Sequence, residues 1–158
     1  MLSFCTAAFE TDILGSDGSS EQRLVTWPRP AEGTFCLNVD RSMLGPVQTT
    51  GFGGLIRNSS GAFLKGFYGV VSLSSVLYVK IMAILRGLQL CWSNGYSSIV
   101  CYSDLLQAVS LIKDGVSHFH TLANEIHNIH QLLRRDWNVV IDHTLREGNM
   151  CADVLAKL

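Results

Sequence analysis

Residues 51–71, GFGGLIRNSSGAFLKGFYGVV, constrain the fold more than any other stretch of this chain. Two apolar runs flank RNSSG, where Asn58, Ser59, Ser60 and Gly61 supply the side-chain acceptors and backbone freedom that a tight hairpin turn demands. Just upstream, TFCLNVD alternates Phe35, Leu37 and Val39 on one side, the period of a half-buried strand. Three antiparallel strands are therefore expected in succession.

The period then switches. In SSVLYVKIMAILRGLQL, residues 74–90, Ile81, Ile84, Leu85 and Leu88 fall at helical spacing, which predicts a buried amphipathic helix over 75–93 stopped by Asn94 and Gly95. SSIVCYSD is a short apolar run bounded by polar residues, as an inner strand would be. LLQAVSLIKDG and TLANEIHNIHQLLRRD return to helical spacing, the second ending in Arg134 and Arg135, where cations suit the helix dipole. WNVVIDH reads as another strand, and NMCADVLAKL opens a final helix. The order βββαβααβα predicts an α/β fold with a mixed five-stranded sheet flanked by helices.

Composition narrows the function classes. With 158 residues, 47% apolar and 16% charged, the chain suits one domain with a continuous core. A formal charge of −1 argues against a tight, non-specific nucleic-acid binder, which needs a lysine and arginine excess to release counterions. No apolar run reaches the roughly 18 residues of a membrane span. MLSFCTAAFETD lacks the basic start of a secretory signal, so a soluble, intracellular chain is expected. TDILGSDGSSEQR has linker composition, which divides the chain into a flexible leader, 1–26, and a folded domain, 27–158. Cys5, Cys36, Cys91, Cys101 and Cys151 contain no CxxC pair and read as buried reduced thiols. His127 and His130 share a helix face near His118 and His120, either as a metal site or as a solvated or half-buried face.

The carboxylates carry the chemistry. Asp40 is expected at the end of the first strand, Asp104 at the end of the fourth and Asp153 in the last helix, where strand ends and helix termini converge in mixed sheets. Acids brought that close repel one another unless a hard divalent ion such as magnesium neutralises them.

WPRPAEGTFCLNVDRS, AILRGLQL, YSDLLQAVSLI and HTLREGNMCADVLAKL, spread over residues 27–158, closely resemble the ribonuclease H-like domain of plant proteins related to non-LTR retroelement reverse transcriptases. The resemblance implies a ribonuclease H fold that hydrolyses the RNA strand of RNA/DNA hybrids with two magnesium ions. By the same resemblance, Asp40, Asp104 and Asp153 are the catalytic and metal-binding aspartates, and His143, ten residues before Asp153, is the loop histidine that shuttles protons. Asn149 and Ser42 fall where the family contacts nucleic acid. The implied partner is an RNA/DNA hybrid or other nucleic acid, met by a monomer and without a membrane.

The departures from the family pattern matter as much. Lys80 stands where the family has a glutamate that helps hold the metals, Arg41 replaces a glycine, Leu105 a serine and Cys36 a lysine. Two-metal hydrolysis needs carboxylates that keep both ions about 4 Å apart, and an ammonium among them opposes metal entry. Lys80 is expected to pair with Asp40 or Asp104 and to impair catalysis. The other reading has Lys80 in solvent and one metal on the remaining aspartates. A catalytically inactive interaction module or a retroelement-derived remnant would carry the same departures.

Overall fold

A computed structural model of the chain describes residues 3–5, 30–44, 49–72 and 75–145. Its elements are β1 (Ser3–Cys5), β2 (Phe35–Leu44), β3 (Thr49–Arg57), β4 (Phe63–Ser72), α1 (Val76–Ser93), β5 (Ser98–Ser103), α2 (Leu106–Asp114), α3 (Ala123–Leu133) and β6 (Asn138–His143). The final helix expected from NMCADVLAKL lies outside the described residues.

The sheet runs β1-β4-β3-β2-β5-β6. β2, β3 and β4 pair antiparallel, while β5 lies parallel to both β2 and β6, so β2 is the strand on which direction changes. The five strands β2 to β6 are the mixed sheet that the sequence predicts. The sixth, β1, comes from the segment expected to stand clear of the domain, and it pairs antiparallel with β4 through Ser3↔Tyr68, Phe4↔Phe67 and Cys5↔Gly66. An open outer edge on β4 offers unpaired N–H and C=O groups, which an extended segment satisfies whatever its composition.

Local chemistry explains the turns. The Asn58 side-chain carbonyl accepts from the backbone N–H groups of Ser60 (3.1 Å) and Ala62 (2.9 Å), and Gly61 takes the left-handed φ of +86° that closes the hairpin. Ser75 caps α1 by accepting from the Tyr78 N–H at 3.1 Å. Asn94 ends the helix, its own N–H returning to the Leu90 carbonyl at 3.1 Å.

α1 is the core helix. Val79, Ile81, Ile84, Leu85 and Leu88 are buried together with Leu37, Val39, Ile56 and Phe67 of the sheet. Its 18 residues and mean hydropathy of 1.3 also meet the length and apolarity of a membrane span. A helical window tolerates Lys80 and Arg86 within a high average, which a search for uninterrupted apolar runs overlooks. Gly87 lets the helix close on the sheet, since a Cβ there would stand 2.8 Å from one Leu37 methyl and 3.1 Å from the Phe67 ring. Gly87→Ala should therefore cost about 1–3 kcal/mol of unfolding free energy in urea titration, the usual range for overpacking.

Two expectations for β2 are corrected. It is buried on both faces, with Cys36, Leu37 and Val39 each at 0% exposure and the polar Asn38 and Asp40 nearly as deep; β3 and β5 close only its edges, and α1 packs across it. Nor does the strand end at Asp40. It continues to Leu44 against β3, whereas its pairing with β5 stops at Val39↔Ser103.

The described thiols are buried and reduced. Burial pushes Cys36 up to about 11 and Cys91 up to about 12, and it raises Cys101 well beyond the ordinary thiol range. An iodoacetamide pulse on the native protein should leave all three unmodified by mass spectrometry, and unfolding in urea should expose all three to the reagent.

Candidate active site

Sheet register assembles the site. The last β2–β5 pair is Val39↔Ser103, and Ser103 in turn faces His143 on β6. Asp40 and Asp104 each lie one residue beyond that pair, so the parallel ladder sets them side by side where β2 loses its neighbour. Lys80 arrives from the first turns of α1, the helix packed across β2 and β3.

The Lys80 ammonium donates to Oδ1 of Asp40 and to Oδ1 of Asp104. It is no solvent-facing lysine: Lys80 is 4% exposed and Asp40 5%. The backbone N–H of Arg41 also donates to Asp40 Oδ1, at 2.7 Å. Burial pushes the Asp40 carboxyl above its usual range. The hydrogen bond and charge of Lys80 and the Arg41 N–H offset that rise only in part, and the charge of Asp104 adds to it.

His143 closes the other side. Its Nε2 donates to the backbone carbonyl of Asp104 at 3.2 Å, and its own N–H donates to Asp142 Oδ1 at 2.8 Å. The next residue extends the ladder, the Thr144 N–H donating to the Ser103 carbonyl at 2.9 Å. Ser103 is fully buried, and its hydroxyl accepts from the Leu105 N–H at 3.3 Å, which turns the chain sharply after Asp104.

Of the residues singled out in the sequence, Asp40, Lys80, Asp104 and His143 thus share one cluster. Asp153 and Asn149 lie outside the described residues, and Ser42 is described only as backbone within β2. Two contributors escaped the sequence reading. The main-chain N–H of Arg41 carries no residue-type signal, and Ser103 reads as one more strand residue until its hydroxyl is seen to fix the turn. The histidines of α3 serve local structure: the His130 Nε2 donates to the Ile112 carbonyl at 2.7 Å, tying α3 to the end of α2.

The described donors do not suit magnesium. That ion demands about six oxygens in near-ideal octahedral geometry. Here an ammonium already holds one oxygen of each carboxylate.

A mixed sheet in this strand order, with paired aspartates where its direction changes, defines a ribonuclease H-like domain. Solved structures of the same fold include ribonuclease H1 of Halobacterium salinarum, at 16% identity and TM-score 0.70 over 78% of this chain and 94% of that one. Another is LC11-RNase H1 from compost, solved in complex with an RNA/DNA hybrid, at 20% identity and TM-score 0.68 over 77% of this chain and 92% of that one. Residues 38–158 match the reverse transcriptase-like family, and the chain belongs to that family. A protein of Arabidopsis thaliana named for ribonuclease H is 29% identical over 144 residues, 91% of this chain. The chain spans 23% of that relative's length.

Proposed function

We propose that this chain is a ribonuclease H type 1-like nucleic-acid-binding domain, built on residues 27–158 with a leader of 1–26 that adds β1 to the sheet edge, in which hydrolysis of the RNA strand of RNA/DNA hybrids is impaired. The observation that carries this reading is the buried Lys80 ammonium bonded to both Asp40 and Asp104. Hybrid as the partner is supported by LC11-RNase H1 and by a foamy viral protease-reverse transcriptase of like fold, both solved with an RNA/DNA hybrid.

Asp40, Asp104 and Asp153 would hold magnesium in an active member, which supplies an activated water and stabilises the leaving oxygen. Lys80 opposes this directly. Unit charges about 4 Å apart interact by about 4 kcal/mol at an effective dielectric near 20, and the repulsion doubles for a divalent ion. His143, tethered beside Asp104, keeps the place from which a proton would reach the departing strand. The test is cleavage of a labelled hybrid with magnesium: no product above background is expected, and robust cleavage would overturn the impairment.

One observation favours a second reading, an inactive module for a protein partner. Leu106 and Leu145, at 60% and 59% exposure, lie two residues beyond Asp104 and His143. Apolar side chains at that spot suit a protein surface better than a phosphate backbone.

A further inference from the structure

The two edges of the sheet are finished differently. β1 covers part of β4, whereas no described strand lies outside β6. The N–H groups of Asn138 and Thr144, at either end of β6, donate to the Ser97 and Ser103 carbonyls on the β5 side. Backbone direction alternates along a strand, so Val139 and Ile141 turn their N–H and C=O groups outward, where none of the described residues takes them. Such an edge is a template for another strand. It stops at His143, whose outward N–H is already held by Asp142 Oδ1 at 2.8 Å.

The side chains decide which strand fits. Laid antiparallel on a second β6 about a two-fold axis through Val140, the strand complements itself. Val139 and the copy's Ile141 exchange backbone hydrogen bonds on both sides of the axis. Val140, at 47% exposure, covers its apolar surface with the copy's Val140. Asn138 and Asp142, both exposed, come face to face. Asp142 meets His143 and Lys113 through Oδ1, which leaves Oδ2 to accept from the copy's Asn138 amide. Moving the axis to Val139 or Ile141 would set Val140 against Asn138 or Asp142, so the valine selects one register.

We infer that the domain pairs with a second copy of itself through β6, edge to edge, so that the two sheets run on as one. The inference is independent of hybrid binding and departs from the monomer that the family resemblance implies. A strand of six residues a side is smaller than a standard interface of about 20–30 residues a side, so the dimer is weak and filled by concentration.

Sedimentation velocity of the full chain over a wide concentration range tests this, and the parent should pass from monomer to dimer. Val140→Lys sets two cations face to face on the axis and should stay monomeric, with its far-UV circular dichroism unchanged. Cross-linking reads the register. Val140→Cys puts two thiols in a non-hydrogen-bonded pair with Cα atoms about 4.5 Å apart, within reach of a disulfide, so mild oxidation should yield a covalent dimer on a non-reducing gel. Asn138→Cys, four residues out of register with itself, should link no more than the parent. A parent that stays monomeric at the highest concentration would overturn the inference, as would a dimer that persists in Val140→Lys. Linking of Asn138→Cys as readily as Val140→Cys would overturn it too, by assigning the contact to another surface.

Discussion

Lys80→Ala should lower the unfolding free energy by about 3–5 kcal/mol, the usual consequence of removing one partner from a buried ion pair. The loss follows from what stays behind. Asp40 and Asp104 are drawn together by the Val39↔Ser103 register, and without the ammonium a buried and a half-buried carboxylate face each other. Part of the loss is packing, since the lysine stem lies within the buried surface of α1. Urea titration monitored by tryptophan fluorescence would measure it. A change below about 1 kcal/mol, typical of exposed pairs, would mean that the triad contributes no more than a surface contact.

Lys80→Glu should have the second large effect, and of a different kind. Without metal it replaces two attractive contacts by a third carboxylate, so thermal unfolding should begin earlier than in the parent. With magnesium the order should change, because an ion that binds only the folded state stabilises it. At a concentration one hundred times its dissociation constant the gain is about 2.7 kcal/mol. Magnesium-dependent cleavage of hybrid should rise in parallel, since ligand oxygens return where the ammonium stood. A Lys80→Glu protein whose melting temperature ignores magnesium would mean that position 80 is not the missing ligand.

Much of the fold was legible because its signals are local. The hairpin rests on Asn58 and Gly61, whose side-chain carbonyl and positive φ are properties of those residue types. The limits of α1 follow from the Ser75 hydroxyl and from Asn94, again read within one turn. What was not legible depends on partners distant in the chain. Alternation in TFCLNVD suggests one buried face, yet β2 is covered on both, which depends on what packs above and below the sheet. The extension of β2 to Leu44 requires the facing residue Thr49, which no pattern within TFCLNVD announces. The pairing of β1 with β4 was hidden by the polar stretch that follows it.

The site divides in the same way. Predicted strand ends pointed to Asp40 and Asp104, and the family resemblance to His143 and to Lys80 as their partner, but a lysine near the start of an apolar helix can by itself be buried or lift its ammonium to solvent. Only the sheet register and the placing of α1 across β2 decide between them. They set two carboxylates within reach of one ammonium, a contact spanning 40 residues to Asp40 and 24 to Asp104.

Isothermal titration of magnesium into the parent chain tests most directly that Lys80 stands where a metal would be held. No saturable heat is expected from the parent, and a saturable isotherm is expected from Lys80→Glu under the same conditions. Tight, saturable magnesium binding by the parent would contradict the assignment of Lys80 as the cation of this site.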